Sequence, residues 1–149
     1  MSNIYLYILL AILAGAMIPT QAAVNNKLAL FIDSPILAAF ISFLVGTAAL
    51  LIYVVASGTP MTGIASARNA PPVAWIGGIL GAFFVTATVM LTPRLGVAMT
   101  FSLIIAGQML VTLIIDHYGA LDVPVKEISA ARIGGILLIT AGVVLIRKF

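Results

Sequence analysis

Cysteine is missing from this chain of 149 residues. Disulfides, thiol nucleophiles and cysteine-ligated metals are therefore excluded, and nothing marks the redox compartment. Charge is almost as scarce: Asp, Glu, Lys and Arg make up 7% of the residues, four acids against seven bases, with one histidine. A soluble domain carries about a quarter charged residues, so a water-facing globular surface cannot be built from this composition. No metal-ligand cluster, no Ser–His–Asp set at usable spacing and no phosphate-binding glycine loop is present. Catalysis is not expected, and neither is a metal or a cofactor. The Lys and Arg residues lift the pI to about 9.6, yet they are scattered over loops and ends with no patch for nucleic acid. They read as interfacial anchors.

What the chain has in abundance is apolar sequence. Hydrophobic residues are 63% of the total and the mean hydropathy is +1.28. A run of about 20 apolar residues crosses a bilayer as a helix, and five such runs lie at about 4–24, 35–56, 73–91, 97–115 and 130–146. Alternating segments of about 10 residues, the mark of a membrane barrel, are absent. The fold class is all-α integral membrane, one transmembrane domain over residues 1–149 with five spans. No Lys or Arg precedes Lys27 and four more spans follow the first, so the first span is expected to stay uncleaved.

The first span organises the rest, because its second half carries Pro19, Thr20, Gln21 and Asn25. An amide within a span needs a partner or a wet cavity, since hydrocarbon offers no hydrogen bonds. Pro19 frees a backbone carbonyl one turn earlier and can kink the helix where the polar atoms begin. Gln21 and Asn25, four residues apart, share a face. A short connection from Lys27 leads to Ser34-Pro35, a capping hydroxyl before proline at the first helical position. In the second span Ser42, Gly46, Ala49 and Tyr53 form a small and polar stripe suited to close packing. The stretch from Ser57 to Pro72 reads as a loop, and Trp75 beyond it as an interfacial anchor.

Gly77 and Gly81 have the GxxxG spacing that lets helix backbones approach, on one face with Val85, Thr88 and Thr92. Gln108 sits near the middle of the fourth span with Thr112 one turn later, and Asp116 and His117 end it. Ser129 can cap the fifth span, where Ala130/Gly134 and Ala131/Gly135 are small-xxx-small pairs. Gly77, Gly81, Gly134, Gly135 and Gly142 are thus the candidates for helix packing and dimer contact. Gln21, Asn25, Thr88, Gln108 and Thr112 are the candidates for solute binding, although a helical threonine commonly bonds its own carbonyls. Asp116 and His117 are the candidates for ion coupling, because a membrane carboxylate beside a histidine can titrate. Their depth, near the headgroups, equally suits an anchor or a pairing with Arg94 or Arg132 of a neighbour.

Short loops let the Lys/Arg count decide orientation. Arg68, Lys126 and Arg132 lie on the amino-terminal side; Lys27, Arg94, Arg147 and Lys148 lie on the other. A difference of one cation gives almost no instruction. Dual topology is the expectation, with the chain inserted both ways and paired as an antiparallel homodimer. That pairing would create the inverted repeat that many transporters carry, with a midplane site between the repeats. The opposing reading is one weakly biased orientation, set by a partner or by helix hydrophobicity.

Several stretches together resemble one family. Gln21-Ala-Ala-Val-Asn25, Ser34-Pro35 with Ala38 to Leu50, and Trp75-Ile-Gly-Gly-Ile-Leu-Gly-Ala-Phe are similar to the YdcZ-like proteins. So are Pro93-Arg94-Leu95-Gly96, Ala106-Gly107-Gln108, Asp116-His117-Tyr118-Gly119 and Arg132-Ile-Gly-Gly-Ile-Leu-Leu. This is a five-helix branch of the drug/metabolite transporter superfamily, and the resemblance covers nearly the whole chain. It implies a bacterial inner-membrane protein occurring as antiparallel dimers, either dual-topology homodimers or pairs of oppositely oriented homologues, related to the four-helix small multidrug exporters. In those exporters the last helix pairs the subunits, and a glutamate in the first helix couples to protons. Here the first span has no acid, and Gln21 and Asn25 are its nearest polar equivalents. The expected function is a transporter subunit moving a small metabolite or drug-like solute by alternating access. With no central carboxylate, that solute should be neutral, zwitterionic or weakly charged. The alternatives are a passive pore or a non-transporting assembly subunit. The expected partners are a second copy of the chain, the lipid bilayer and the solute.

Overall fold

The computed structural model describes residues 3–148. Helices α1 (Asn3–Ile32), α2 (Pro35–Ala56), α3 (Gly63–Ala67), α4 (Ile76–Leu95), α5 (Val97–Tyr118) and α6 (Ala130–Lys148) follow in chain order. Short 3-10 turns at Pro72–Trp75 and Ala120–Asp122 precede α4 and follow α5. Five of these segments are long and apolar enough to cross a membrane: Asn3–Ile32, Pro35–Ala56, Pro72–Leu95, Val97–Tyr118 and Ala130–Lys148. No strand occurs among the described residues.

The first helix is longer than its apolar run. It passes unbroken through Pro19 and continues to Ile32, taking up most of the connection expected after Asn26. No glycine or proline interrupts residues 20–34, and Leu28, Ala29 and Ile32 pack with Ala38 and Ala39 of α2. Tertiary contact thus adds to the apolar run from Leu28 to Ile32 in carrying the helix past Asn25, Asn26 and Lys27. Asp33 ends the helix with φ +49, and the Ser34 N–H closes back on the Ala29 carbonyl at 3.2 Å, satisfying an orphan helix-end acceptor. Ser34 then caps α2, its Oγ accepting from the Leu37 N–H at 3.2 Å ahead of Pro35. Two residues therefore reverse the chain, and α1 and α2 pack closely.

Contacts divide the chain into a unit ending at Pro93 and a unit starting at Arg94. The first has a core of small side chains, Ala29, Ala38, Ala39, Val85 and Val89, with Phe84 against it. Small residues let helices approach within the bilayer, where no hydrophobic drive separates helix from lipid. The second unit is the closely packed pair α5 and α6. Large apolar side chains such as Leu10, Phe40, Ile79, Phe83 and Leu138 are exposed, as suits a surface facing acyl chains.

The turn expected at Thr92–Gly96 contracts to one residue. Thr92 to Leu95 continue α4, and only Gly96 separates it from α5. Gly96 has φ +79 and ψ 158, a region essentially restricted to glycine. Gly96→Ala is expected to lower stability by about 1–3 kcal/mol, read as reduced resistance to unfolding in mixed micelles. Unchanged stability would contradict this account of the connection.

Candidate functional site

Each unit has an interhelical groove with polar side chains on its walls. In the first, Gln21 of α1 faces Ser42, Phe43, Gly46, Thr47 and Leu50 of α2 across a recess of about 200 Å³. The small stripe of α2 shapes it, because Ser42 and Gly46 keep that wall of the groove low. Gln21 is exposed, whereas Asn25 on the next turn is buried. Asn25 retains 5% of its exposure, and its Nδ2 has no hydrogen-bond partner among the described residues. The α1–α2 contact splits the two amides: Ala22, Asn25 and Ala29 form the buried stripe and Gln21 lies at its edge.

On α4, Thr88 is buried and donates to the Val85 carbonyl at 2.8 Å. One turn on, Thr92 is also buried, with its Oγ1 unpartnered among the described residues. Gly81 of α4 sits against Phe43 of α2, where an added Cβ would lie 3.5 Å from the ring. Gly77, Gly134, Gly135 and Gly142 have no atom within 4 Å of such a Cβ. Their faces are open.

In the second unit, Thr112 of α5 and Arg132, Gly135 and Ile139 of α6 border a groove of about 210 Å³. Thr112 donates to the Gln108 carbonyl at 2.7 Å, and the Gln108 side chain is exposed. Arg132 is held from several sides. Its guanidinium pairs with the Asp116 carboxylate and donates to the Lys126 and Glu127 carbonyls at 2.8 and 3.4 Å. The Lys126 N–H returns to the Asp116 carbonyl at 2.8 Å, and the Ile128 N–H donates to His117 Nδ1 at 3.4 Å. Gly119 lets the chain turn back with φ +58, at a point where a Cβ would meet Val125 Cγ2 at 2.7 Å. Ser129 caps α6 through the Arg132 N–H at 3.3 Å.

Asp116 and His117 thus stand at the rim, tied to the loop between α5 and α6. Gln21 and Asn25 share the first unit with Thr88, and Gln108 and Thr112 share the second. Two residues of the first groove, Thr47 and Leu50, carry no motif in the sequence, whereas Phe43 belongs to the aromatic set that could offer a wall to a flat ligand. Arg132 was legible as a partner for Asp116, but across a chain boundary rather than within one chain. The signal for an internal pair is their separation of 16 residues, enough for one return turn.

Arg132→Ala removes the ion pair and two carbonyl bonds together. The pair is partly exposed, at 31% and 22% of side-chain area, so the loss of stability should be about 1 kcal/mol or less. The loop should nevertheless open, and trypsin should cut after Lys126 several-fold faster in solubilised protein. Cleavage at the unaltered rate would contradict the clamp.

Comparison with known proteins adds one finding. A family model with the description "Putative inner membrane exporter, YdcZ" matches residues 6–145. No curated protein and no solved structure matches the chain. The matched range reaches from the first turn of α1 to the last turns of α6 and takes in every spanning segment. The chain belongs to the YdcZ family of inner membrane exporters, a multi-pass membrane protein of transporter rather than enzyme kind.

Proposed function

We propose that the chain moves a small solute across the inner membrane by alternating access, working as an antiparallel homodimer of two oppositely inserted copies. The carrying observation is that polar side chains at mid-span remain exposed on the single chain. Gln108 is near the middle of α5 (Val97–Tyr118) and exposed, as is Gln21. Hydrocarbon satisfies neither amide. A second copy laid head-to-tail would cover both with its own polar faces and enclose a wet pocket.

Three further features support the pairing. Five spanning helices are an odd number, so one chain cannot supply two equal inverted halves. The glycine faces of α6 at Gly134, Gly135 and Gly142 are open, as a subunit-joining helix requires. The cation count differs by one between the two sides, too little to fix one orientation. Within the first unit Gln21, with Asn25 and Thr88 packed behind it, and within the second unit Gln108 and Thr112 are the groups through which each unit would meet the solute. All four acids, Asp33, Asp116, Asp122 and Glu127, stand at helix ends or in loops, so a strongly cationic solute would find no counter-charge midway. Asp116 and His117 are the groups through which coupling to an ion would run.

The lack of cysteine gives a clean test. Ser66→Cys, in the segment between α2 and α4, should react with a membrane-impermeant maleimide in intact cells to about half of the population. Complete labelling, or none, would contradict dual insertion. In proteoliposomes, flux should saturate and should fall about tenfold in Gln21→Ala and Gln108→Ala; ohmic flux would instead mark a passive pore.

A further inference from the structure

We infer that the α1–α2 groove binds a small uncharged solute that carries both hydrogen-bond donors and acceptors. The inference rests on the transporter reading and deepens it, assigning the solute a wall and a chemistry. Helix α2 has 22 residues, or about 33 Å at roughly 1.5 Å per residue, close to the thickness of the hydrocarbon core. Ser42 and Thr47 lie within about 6 Å of its midpoint on the same scale, so the groove they line with Gln21 opens midway through the bilayer.

Among the described residues the side chains of Gln21, Ser42 and Thr47 form no hydrogen bond, although Thr20, Thr88, Thr100, Thr112 and Thr140 all donate to carbonyls of their own helices. Three free polar groups on one recess at that depth call for an occupant that bonds them. An amide supplies two N–H donors and an acceptor oxygen, and each hydroxyl supplies one donor and two lone pairs. The complement is a solute with hydroxyl or amide groups.

No ionisable residue lines the recess, so a cation or an anion would be desolvated there without a counter-ion. A zwitterion would leave both its charges unmatched. The half-exposed ring of Phe43, backed by Gly81, offers an apolar wall to a flat or ring-shaped face. The recess, about 200 Å³ in volume, is open along one side.

Benzamide, benzoate and benzamidinium provide the test, being nearly the same shape with charges of zero, minus one and plus one. Their binding is measured by equilibrium dialysis against the purified full chain in nanodiscs. Benzamide should bind saturably and the two ions about tenfold or more less tightly. Thr47→Val, which keeps shape and removes the hydroxyl, and Gln21→Leu should each weaken benzamide about five- to tenfold, the loss expected for one hydrogen bond. Circular dichroism and elution as the parental species establish that both variants fold. Equal binding of the three probes, preference for either ion, no saturable benzamide binding, or binding indifferent to both substitutions would overturn the inference. Flux is measured separately, so a vacant groove in a protein that still transports overturns this assignment alone. A filled groove in a protein that carries nothing overturns the transporter reading instead.

Discussion

Hydrocarbon supplies no hydrogen bonds, and every feature of this chain answers to that constraint. Backbone groups meet it through five long helices. Helix ends meet it locally: Ser34 and Ser129 cap α2 and α6, and the Ser34 N–H closes on the end of α1. Threonines such as Thr20, Thr88 and Thr140 meet it by donating to their own helices. Among the described residues Gln21, Ser42 and Thr47 do not meet it, and neither do the buried Asn25 Nδ2 and Thr92 Oγ1.

The same constraint separates the two kinds of polar residue. Arg132, Asp116 and His117 stand at the end of α5 and the start of α6, and they bond each other or the returning loop. Their arrangement fastens the segment between α5 and α6. The mid-span groups carry no charge, Gln21, Ser42 and Thr47 in a groove beside Gly46 and Gln108 on an exposed face, and can exchange partners without stranding an ion in lipid. A transport pathway needs that property, since each bond to a solute must be broken as the pathway opens on the other side.

Much of the architecture was readable from residues alone, for physical reasons. Span length is set by bilayer thickness, so five helices follow from five apolar runs. Ser34-Pro35 announced a helix start because the cap is a local bond. The eight residues by which α1 outlasts its expected end at Val24 were not readable, because Leu28, Ala29 and Ile32 are held by packing on α2. Nor was the different fate of Gln21 and Asn25: both lie on one helical face, but the crossing with α2 buries only the second. Thr47 escaped notice for the same reason, since a groove is a property of two helices and a motif belongs to one.

The central claim is that a second copy, oppositely inserted, covers the exposed polar faces. Co-expression of a Ser66→Cys chain with a Leu95→Cys chain tests it most directly, because the two positions stand at opposite ends of the spans and the parent chain has no cysteine. A flexible bis-maleimide applied to membranes should join unlike chains, Ser66→Cys to Leu95→Cys, well above like pairs. Links confined to like pairs would mean that the copies lie parallel, and no links at all that the chain acts alone; either result would contradict the account.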